Sequence, residues 1–534
     1  MRRPLTSLTP LLLASALQAA ATTRADALFA GEVPAIELLI PDAGIKKLAQ
    51  DPRAFVEFTL QETGQKALEH CSIKLKGSMG SFRQINDARP GFSIRTAKST
   101  DQAFHGLTKF QLNNSAQDGT MIHEQLAGEI ARAAGVPASR CAHAYVTMNG
   151  KVLGVYVLKE GFDAEFLRPF FADTRGHLYD GGLHTDIHPG LELDKGDPKD
   201  KARITEFSQA LREGDPAKRR SRLEGVLDVD AYLRHLAIEN ILVHGDGYSY
   251  RANNYRTYED PATGKFTFIL HGMDNVFGVD SWGQTSARGY VFASPVAAPL
   301  YPGASVTAVS QALWGDKQDT ALRERFRRQA RAVYDQAIKG RDWSKRAEEI
   351  AANLKARLLP LDAQEAARAE RRGLEGAAQV RRRLEIVRTQ FEDAAKLDVP
   401  GGAVGLGPYL WSLNAEQATA RETRADSRDC LHLAKTAPGG RADVRLPLAL
   451  APGRYRLAAT VRTRGIAGGY GFRLRLGGEG GRTDLPTLSG DQDWREVAYE
   501  FAFNEGDPTV VLELRADAGE AWIDRTSLRL TRLP

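Results

Sequence analysis

The chain has 534 residues, of which 42% are hydrophobic and 26% charged, enough for two to four domains and a large buried core. A formal net charge of +5 is small for that length and excludes a dedicated nucleic-acid binder, which concentrates lysine and arginine on one face. Arginine runs such as Arg325 to Arg331 and Arg381-Arg382-Arg383 read instead as solvated helix faces.

The N-terminus carries Arg2 and Arg3, a Leu/Ala-rich stretch from Leu5 to Ala21, and small residues up to Ala27. This is the three-part pattern of a secretory signal peptide over residues 1–27, with cleavage between Ala19 and Ala27. No later segment is apolar for long enough to cross a bilayer, so the expected location is secreted or periplasmic. The three cysteines, Cys71, Cys141 and Cys430, have no close pair at metal-ligand spacing. They read as buried thiols, or as one bridge between Cys71 and Cys141 in an oxidising compartment.

From about Glu32, alternation of apolar and polar residues predicts strands around Ile36 to Ile40, Phe55 to Leu60, Ile73 to Leu75, Phe92 to Ile94 and Phe110 to Leu112. A short helix is expected over Asp42 to Gln50. Met121, Leu126, Ile130 and Ala134 form a helical stripe that Gly135-Val136-Pro137 ends. Tyr145 to Met148, Asn149-Gly150 and Val152 to Leu158 predict a hairpin, because Asn-Gly adopts the positive backbone angles of the tight turn. Phe162 to Phe171 is a further helix candidate. Asp228 to Val243 is expected to be an amphipathic helix, and Tyr255 to Leu270 a second hairpin. From Val306 to Leu397 the chain reads as helical, with one long helix over Asp362 to Lys396 and a weak point near Gly373 and Gly376.

Residues 398–408 are rich in glycine and mark a linker. Beyond them, short strand candidates separated by Gly, Pro, Asp and Asn predict an all-β jelly-roll sandwich over 409–534. The whole is α+β, with a mixed module over 32–397 that includes a helical region over 306–397.

The densest polar segments are His244-Gly245-Asp246-Gly247 through Asn253-Asn254-Tyr255, and His271-Gly272-Met273-Asp274. The first follows a predicted helix and the second follows the hairpin, so a short connection can bring the two acids together. Phosphoryl transfer needs one carboxylate to accept the proton of the attacking hydroxyl, a second on a divalent metal, and an amide oxygen as further ligand. The competing reading is that Asp-Gly and Asn-Asn form ordinary turns. The histidines at 177, 184, 188, 244 and 271 match no zinc spacing, and no serine lies in a nucleophile elbow.

These blocks resemble the CotH kinases, the spore coat protein H family of atypical protein kinases, over roughly Val33 to Arg357. The resemblance rests on Ile73 to Ser78 through Arg83, on Pro90 to Thr96, and on Asn149-Gly150 with Gly154 to Glu160. It rests also on the Asp246 to Tyr255 loop and on Met273-Asp274 with Phe277-Gly278. It implies a divergent protein-kinase-like fold with a helical C-terminal lobe, ATP with Mg²⁺ or Mn²⁺, and transfer to Ser or Thr of a secreted or surface protein. In that reading Asp246 is the catalytic acid, Asp274 binds metal, and Asn253 or Asn254 assists. Arg95, with Lys98 nearby, takes the phosphate-contacting position; Lys74 and Lys76 are other candidates. Glu129 would pair with that cation, and Glu160 would contact nucleotide or cap a helix. His271-Gly272-Met273 departs from the tryptophan and acids that usually precede the metal aspartate, as does Met79-Gly80 in the first glycine block. The alternatives are a catalytically inactive kinase-like binding or structural protein acting through its sandwich, and a glycan-active enzyme using the two acids as a carboxylate pair.

The last module resembles galactose-binding-like, carbohydrate-binding jelly rolls, above all in Ala521 to Leu528. That resemblance implies stacking of a polysaccharide ring on Tyr470, Trp494 or Trp522, with Asp524 structural or a Ca²⁺ ligand. The alternative for the aromatics is a place in the core.

Overall fold

The computed structural model describes residues 24–96, 102–278, 307–314, 320–407, 409, 411–448, 450–478, 484–504 and 508–534. Most of the expected leader and Lys98 lie outside them. The chain divides into two compact units, each built from separated stretches of sequence.

The first unit comprises Met1–Asn114, Arg140–Gly161 and Asn353–Arg368. Its strands are β1 (Ala35–Leu39), β2 (Val56–Glu62), β3 (Leu68–Lys76), β4 (Gly91–Arg95), β5 (Lys109–Asn113), β6 (Cys141–Met148) and β7 (Lys151–Glu160). They form a closed barrel in the order β1-β2-β3-β4-β5-β7-β6, sealed by a parallel β1–β6 pairing. Alternate residues such as Ile73 and Leu75, Phe92 and Ile94, and Phe110 and Leu112 fill the interior. The β6–β7 turn is the expected one, with left-handed backbone at Asn149 (φ 47°) and Gly150 (φ 78°). The Asn149 amide also accepts from Ile40 N and donates to Ile40 O, both at 2.8 Å, so one side chain extends the pairing beside the barrel seam.

Helix α1 (Arg24–Phe29) belongs to this core, with Ala25 7% and Leu28 0% exposed and Asp26 paired to Arg140. A leader ending at Ala27 would remove part of a packed helix, so the expected boundary at residue 27 is too late. Helix α2 (Asp42–Gln50) buries Leu48 but has Pro41 as its cap, with no side-chain cap bond. Cys71, Cys141 and Cys430 are all buried, and none of the three is in a disulfide.

The second unit comprises Ser115–Ser139, Phe162–Ala352 and Ala369–Pro534. It opens with α3 (His123–Ala133); Phe162 to Phe171 contributes only the short α4 (Ala164–Leu167). Strands β8 (Leu178–Asp180), β9 (Glu192–Lys195), β10 (Tyr255–Asp260) and β11 (Lys265–Leu270) form a sheet in the order β11-β10-β8-β9. The polar loop between β8 and β9 is structural. Asp180 and Asp194 grip the buried Arg256 at 2.5 and 2.7 Å, and Asp186 accepts from Tyr248 Oη and Ala308 N.

Helices α5 (Ala202–Leu211), α6 (Pro216–Val226), α7 (Val229–Leu242) and α8 (Tyr248–Arg251) share one core with the helical region. That region consists of α9 (Ala308–Trp314), α10 (Thr320–Val333) continuing as a π turn, α11 (Trp343–Leu358) and α12 (Ala363–Leu397). Helix α12 runs unbroken for 35 residues. Its glycines are close-packing points: a methyl at Gly373 would lie 2.5 Å from Ala351 Cβ, and one at Gly376 would lie 2.9 Å from Ile122.

Beyond residue 402 the chain is a two-sheet sandwich with its own apolar core. One sheet runs β12-β23-β17-β22-β15-β14, with β20 also on β17, and the other runs β13-β16-β21-β18-β19. In chain order the strands are β12 (Ala403–Gly405), β13 (Ser412–Glu416), β14 (Thr419–Ala425), β15 (Arg428–Lys435), β16 (Arg441–Pro447), β17 (Gly453–Ala467), β18 (Gly471–Leu476), β19 (Thr487–Leu488), β20 (Gly490–Phe503), β21 (Thr509–Arg515), β22 (Ala518–Asp524) and β23 (Arg529–Arg532).

Candidate active site

Helix α7 is buried on all sides, and Asp228 caps its start by accepting from Ala231 N at 2.9 Å. It ends where Val243 adopts left-handed backbone, φ 59°, a conformation a β-branched residue holds only when its surroundings impose it. Arg383 of α12 supplies part of that constraint. Its guanidinium donates to Ile241 O at 2.8 Å and Asn240 O at 2.7 Å, carbonyls of the last helical turn, of which Asn240 O otherwise takes a long bond from Val243 N at 3.3 Å. Burial pushes the Arg383 pKa down to about 9.

Glu239, in the last turn of α7, is fully buried and faces the loop that follows. It accepts from Ser249 N at 3.2 Å and lies 3.2 Å from His235 Nε2. Helix α8 has Gly247 at its cap position and no capping side chain of its own, so the Glu239 carboxylate takes that role. Burial alone would raise the Glu239 carboxyl, but His235, His244 and Ser249 outweigh it and hold the carboxyl below its ordinary range. A β-carbon at Gly247 would collide with the Glu239 carboxylate, which accounts for glycine there.

The Gly245-Asp246-Gly247 loop is joined to the loop after β11 by two contacts. His244 Nε2 lies 3.0 Å from His271 O, which can only accept, so Nε2 carries the proton. Asn254 donates to Asp246 Oδ2 at 2.8 Å and to Asp246 O at 3.2 Å, and its amide abuts Gly272, where a methyl would come within 2.5 Å. Asp246 and Asp274 are both half-buried. The Asp274 loop is anchored on either side. Met273 packs against Gly128 of α3, Phe277 N donates to Leu242 O at 2.6 Å, and the Phe277 ring meets His123 edge-on at 5.3 Å. Asp118 in turn accepts from His123 N at 3.1 Å. Left-handed backbone recurs at Ala252, Asn254 and Phe277, so departures from ordinary geometry gather around the two acids.

Asn253 is 7% exposed, and its amide hydrogen-bonds no described residue. The other expected residues are placed as follows. Glu129 pairs with Arg346 at 2.8 and 3.0 Å, within the second unit. Glu160 pairs with Arg140 at 2.6 and 3.1 Å, within the first. Both carboxylates are therefore committed to arginines. Lys74 and Arg95 share the face of Phe55, at 4.9 and 4.3 Å from the ring centre, and Lys76 ends β3. Sequence reasoning passed over Glu239 and His235, read Arg383 as solvated where it is 1% exposed, and gave no role to two further buried charges, Glu124 on α3 and Lys159 on β7, at 2% and 1% exposure. Lys159 sat in plain view at the end of an apolar strand, Val155 to Leu158.

In the sandwich, Tyr470 is 44% exposed. Trp522 is stacked on His432 at 4.8 Å and lies under Arg462, which also covers Trp494; the Trp494 indole donates to Asp426. These ring faces are occupied by the protein itself. Asp524 accepts from Thr526 N and Oγ1 at 2.9 and 2.7 Å and pairs with Arg428, contacts that give it a structural role at the end of β22.

A family model described as CotH kinase protein matches residues 73–396. Among curated proteins, "Invasin CotH2" of Rhizopus delemar is 24% identical over 269 residues, 46% of this chain and 45% of that protein. "Inner spore coat protein H" of Bacillus subtilis is 25% identical over 210 residues, 36% of this chain and 56% of that protein. The chain thus spans about half the length of the curated relatives it matches. Among solved structures, a xylan-binding CBM22-1 domain from Paenibacillus barcinonensis is similar to 23% of this chain and 85% of its own, at 11% identity and a TM-score of 0.18. A family 35 carbohydrate-binding module from Clostridium thermocellum is similar at 13% identity and a TM-score of 0.18, over 23% of this chain and 97% of its own.

Proposed function

The chain belongs to the CotH kinase protein family, and from that premise we propose that it transfers the γ-phosphate of ATP to Ser or Thr of an exported or surface protein, with the sandwich as its targeting module. The observation that carries the reading is the clasp between the two acid-bearing loops, through His244 to His271 and through Asn254 to Asp246 and Gly272. An ordinary pair of surface turns has no use for a buried Glu–His network behind it or for strained backbone within it.

The donor set fits a hard divalent cation. Among the described residues no three His, Cys, Asp or Glu side chains form a metal cage. What the loops offer is the Asp274 carboxylate and the Asn253 amide oxygen, the sparse oxygen set suited to Mg²⁺ or Mn²⁺ that keeps water and phosphate as its other ligands. When bound, metal and ATP supply the phosphoryl group and neutralise its charge. Asp246 orients the acceptor hydroxyl and takes its proton at the carboxylate. Asn254 fixes the rotamer of that carboxylate, and Glu239 and His244 hold the loop beneath it. The two asparagines thereby divide the work: Asn253 toward metal, Asn254 toward Asp246.

The test is label transfer from ATP with Mg²⁺ or Mn²⁺, to the protein itself and to an added acceptor, alongside nucleotide binding. Asp246→Asn and Asp274→Asn are expected to lose at least about 100-fold in transfer, the scale on which a general base acts, while remaining folded. Folded wild-type protein that binds no nucleotide would overturn the reading, and so would transfer that survives both substitutions.

A further inference from the structure

The outer face of the β13-β16-β21-β18-β19 sheet is chemically unusual. Along β16, β18 and β21 alternate residues point into the core: Val444, Leu446, Phe472, Leu474, Leu512 and Leu514. The residues between them should be solvated polar groups, as on any sheet with one wet face. Here they form a charged grid that is largely withdrawn from water. Asn414, Asp443, Glu513 and Arg473 lie in register across four strands, and Arg445, Val511 and Arg475 across three. Asp443 is 1%, Glu513 4%, Arg473 0% and Arg475 6% exposed.

Each buried carboxylate is shared by two guanidiniums. Asp443 pairs with Arg441 and Arg445; Glu513 pairs with Arg473 and Arg475 at 2.5 and 2.7 Å. Among the described residues, Arg441 and Arg445 thus bring two positive charges to the single carboxylate of Asp443. The Arg475 Nε–H is buried and has no hydrogen-bond partner among the described residues. Above the grid lies a cavity of about 520 Å³, lined by Arg441, Arg445, Arg475, Arg515, Lys435 and Tyr470 among others, within the size range of small-ligand pockets. Asp517 is a further acid in its wall; among the described residues the lining holds Lys435, Arg441, Arg445, Arg475 and Arg515 beside Asp443, Glu513 and Asp517. Desolvating charge without a partner is costly, and guanidiniums already ordered by neighbouring carboxylates are prepared to take an anion in planar, two-point fashion. Tyr470, at the rim, is 44% exposed with Arg473 4.8 Å and Arg515 5.9 Å from its ring centre, and the part of the ring they leave open favours a saccharide over an extended acidic peptide.

We propose that this face binds an acidic polysaccharide, its carboxylate or sulfate groups held by Arg441, Arg445 and Arg475 and one sugar ring laid against Tyr470. The proposal rests on the sandwich being the targeting module and gives that module a ligand class. The test is binding of the full chain, at physiological salt, to polygalacturonate, dextran sulfate, neutral galactan and polyglutamate. Binding to one or both acidic polysaccharides, and not to galactan, is expected; which of the two binds identifies the acid group. Arg445→Gln and Tyr470→Ala should each weaken it about tenfold or more, the scale of one charge-assisted contact, with unfolding temperature unchanged. Arg454→Gln, exposed on the other sheet, should leave it unaltered. Competition of wild type by short galacturonate or sulfated oligosaccharides gives a readout independent of any variant. Equal binding to galactan would overturn the acid specificity and leave glycan targeting standing. Equal loss with Arg454→Gln, or equal binding to polyglutamate, would overturn the site. No binding to any polysaccharide would overturn both the site and the targeting role, leaving phosphoryl transfer to be judged on its own assay.

Discussion

Asn254 satisfies both the carboxylate and the carbonyl of Asp246, so its removal should disturb the orientation of the acid and leave its chemistry intact. Asn254→Ala is expected to lower kcat for label transfer about 10- to 100-fold, the usual cost of losing a supporting contact, with little change in KM for ATP. Asn253→Ala should instead raise the metal concentration needed for half-maximal transfer. His244 makes the site sensitive to acid. Burial lowers its pKa against the opposing pull of Glu239 and Asp246, and its Nδ1 has no hydrogen-bond partner among the described residues. The folded group therefore releases its proton more readily than the unfolded one. Its contribution to stability is full above the unfolded value of about 6.5 and is lost as pH falls from there toward the lower folded value. The expected profile is transfer activity kept at about pH 6.5 and lost only at lower pH, as the folded group takes up its proton, with recovery on neutralisation of the same preparation. That the Asp246 and Asp274 loops would meet was legible, because only a short hairpin separates them in sequence. Arg383 was not: it stands in a run of three arginines, of which two are exposed as the charge pattern implies and one is 1% exposed. No local pattern distinguishes the buried one, because its partners are carbonyls more than a hundred residues earlier.

Helix α12 carries the clearest element-scale prediction. Gly373 and Gly376 looked like weak points because glycine costs a helix about 1 kcal/mol relative to alanine. The helix keeps them because α11 and the Thr120-Ile122 turn approach too closely for a side chain. Gly373→Val should therefore destabilise the protein by about 1–3 kcal/mol through overpacking, despite a better backbone, as read by denaturant unfolding. Arg383→Met, on the same helix, should cost a comparable or greater amount, about 2–4 kcal/mol, because two buried carbonyls at the end of α7 lose their donors. Both hairpins, α7 and α12 were readable from turn chemistry and apolar spacing. The strands β13 and β14 were not, since sequences such as Thr419 to Ala425 show no alternating apolar residues; they form because partners pair with them. The aromatics read as sugar platforms mislead for a related reason: a half-buried tryptophan on a strand gives the same letter whether its face meets solvent or, as at Trp494 and Trp522, an arginine.

At the scale of the whole molecule, the sandwich should be acid-labile. Burial would raise Asp443, Glu513 and Asp524, yet their arginine and threonine donors hold all three below the ordinary carboxylate range. Their stabilisation is complete above about pH 4, the unfolded value, and disappears as pH falls through the depressed folded values. Calorimetry should show the sandwich transition level from neutral pH to about pH 5 and falling below about pH 4. The exported form should begin at or before Arg24, because Ala25, Asp26 and Leu28 are built into the first unit; intact mass of secreted protein checks this, and a start after Ala27 would contradict it. The mixed α+β architecture and the all-β tail were apparent in residue patterns, whereas the interleaving of the two units was not, since nothing in local sequence reports which distant stretch completes a barrel. That interleaving governs the order of events at synthesis. Asn353 reaches Gly31 O at 2.8 Å and Asp362 reaches Tyr145, so residues near the middle of the chain finish a unit begun at its start. A nascent chain carrying only the first 161 residues has every barrel strand and lacks its closing segment, and must wait for some two hundred more residues to emerge. During that interval the barrel strands wait without the segment that completes them, the condition in which incomplete folding units are exposed to misassembly.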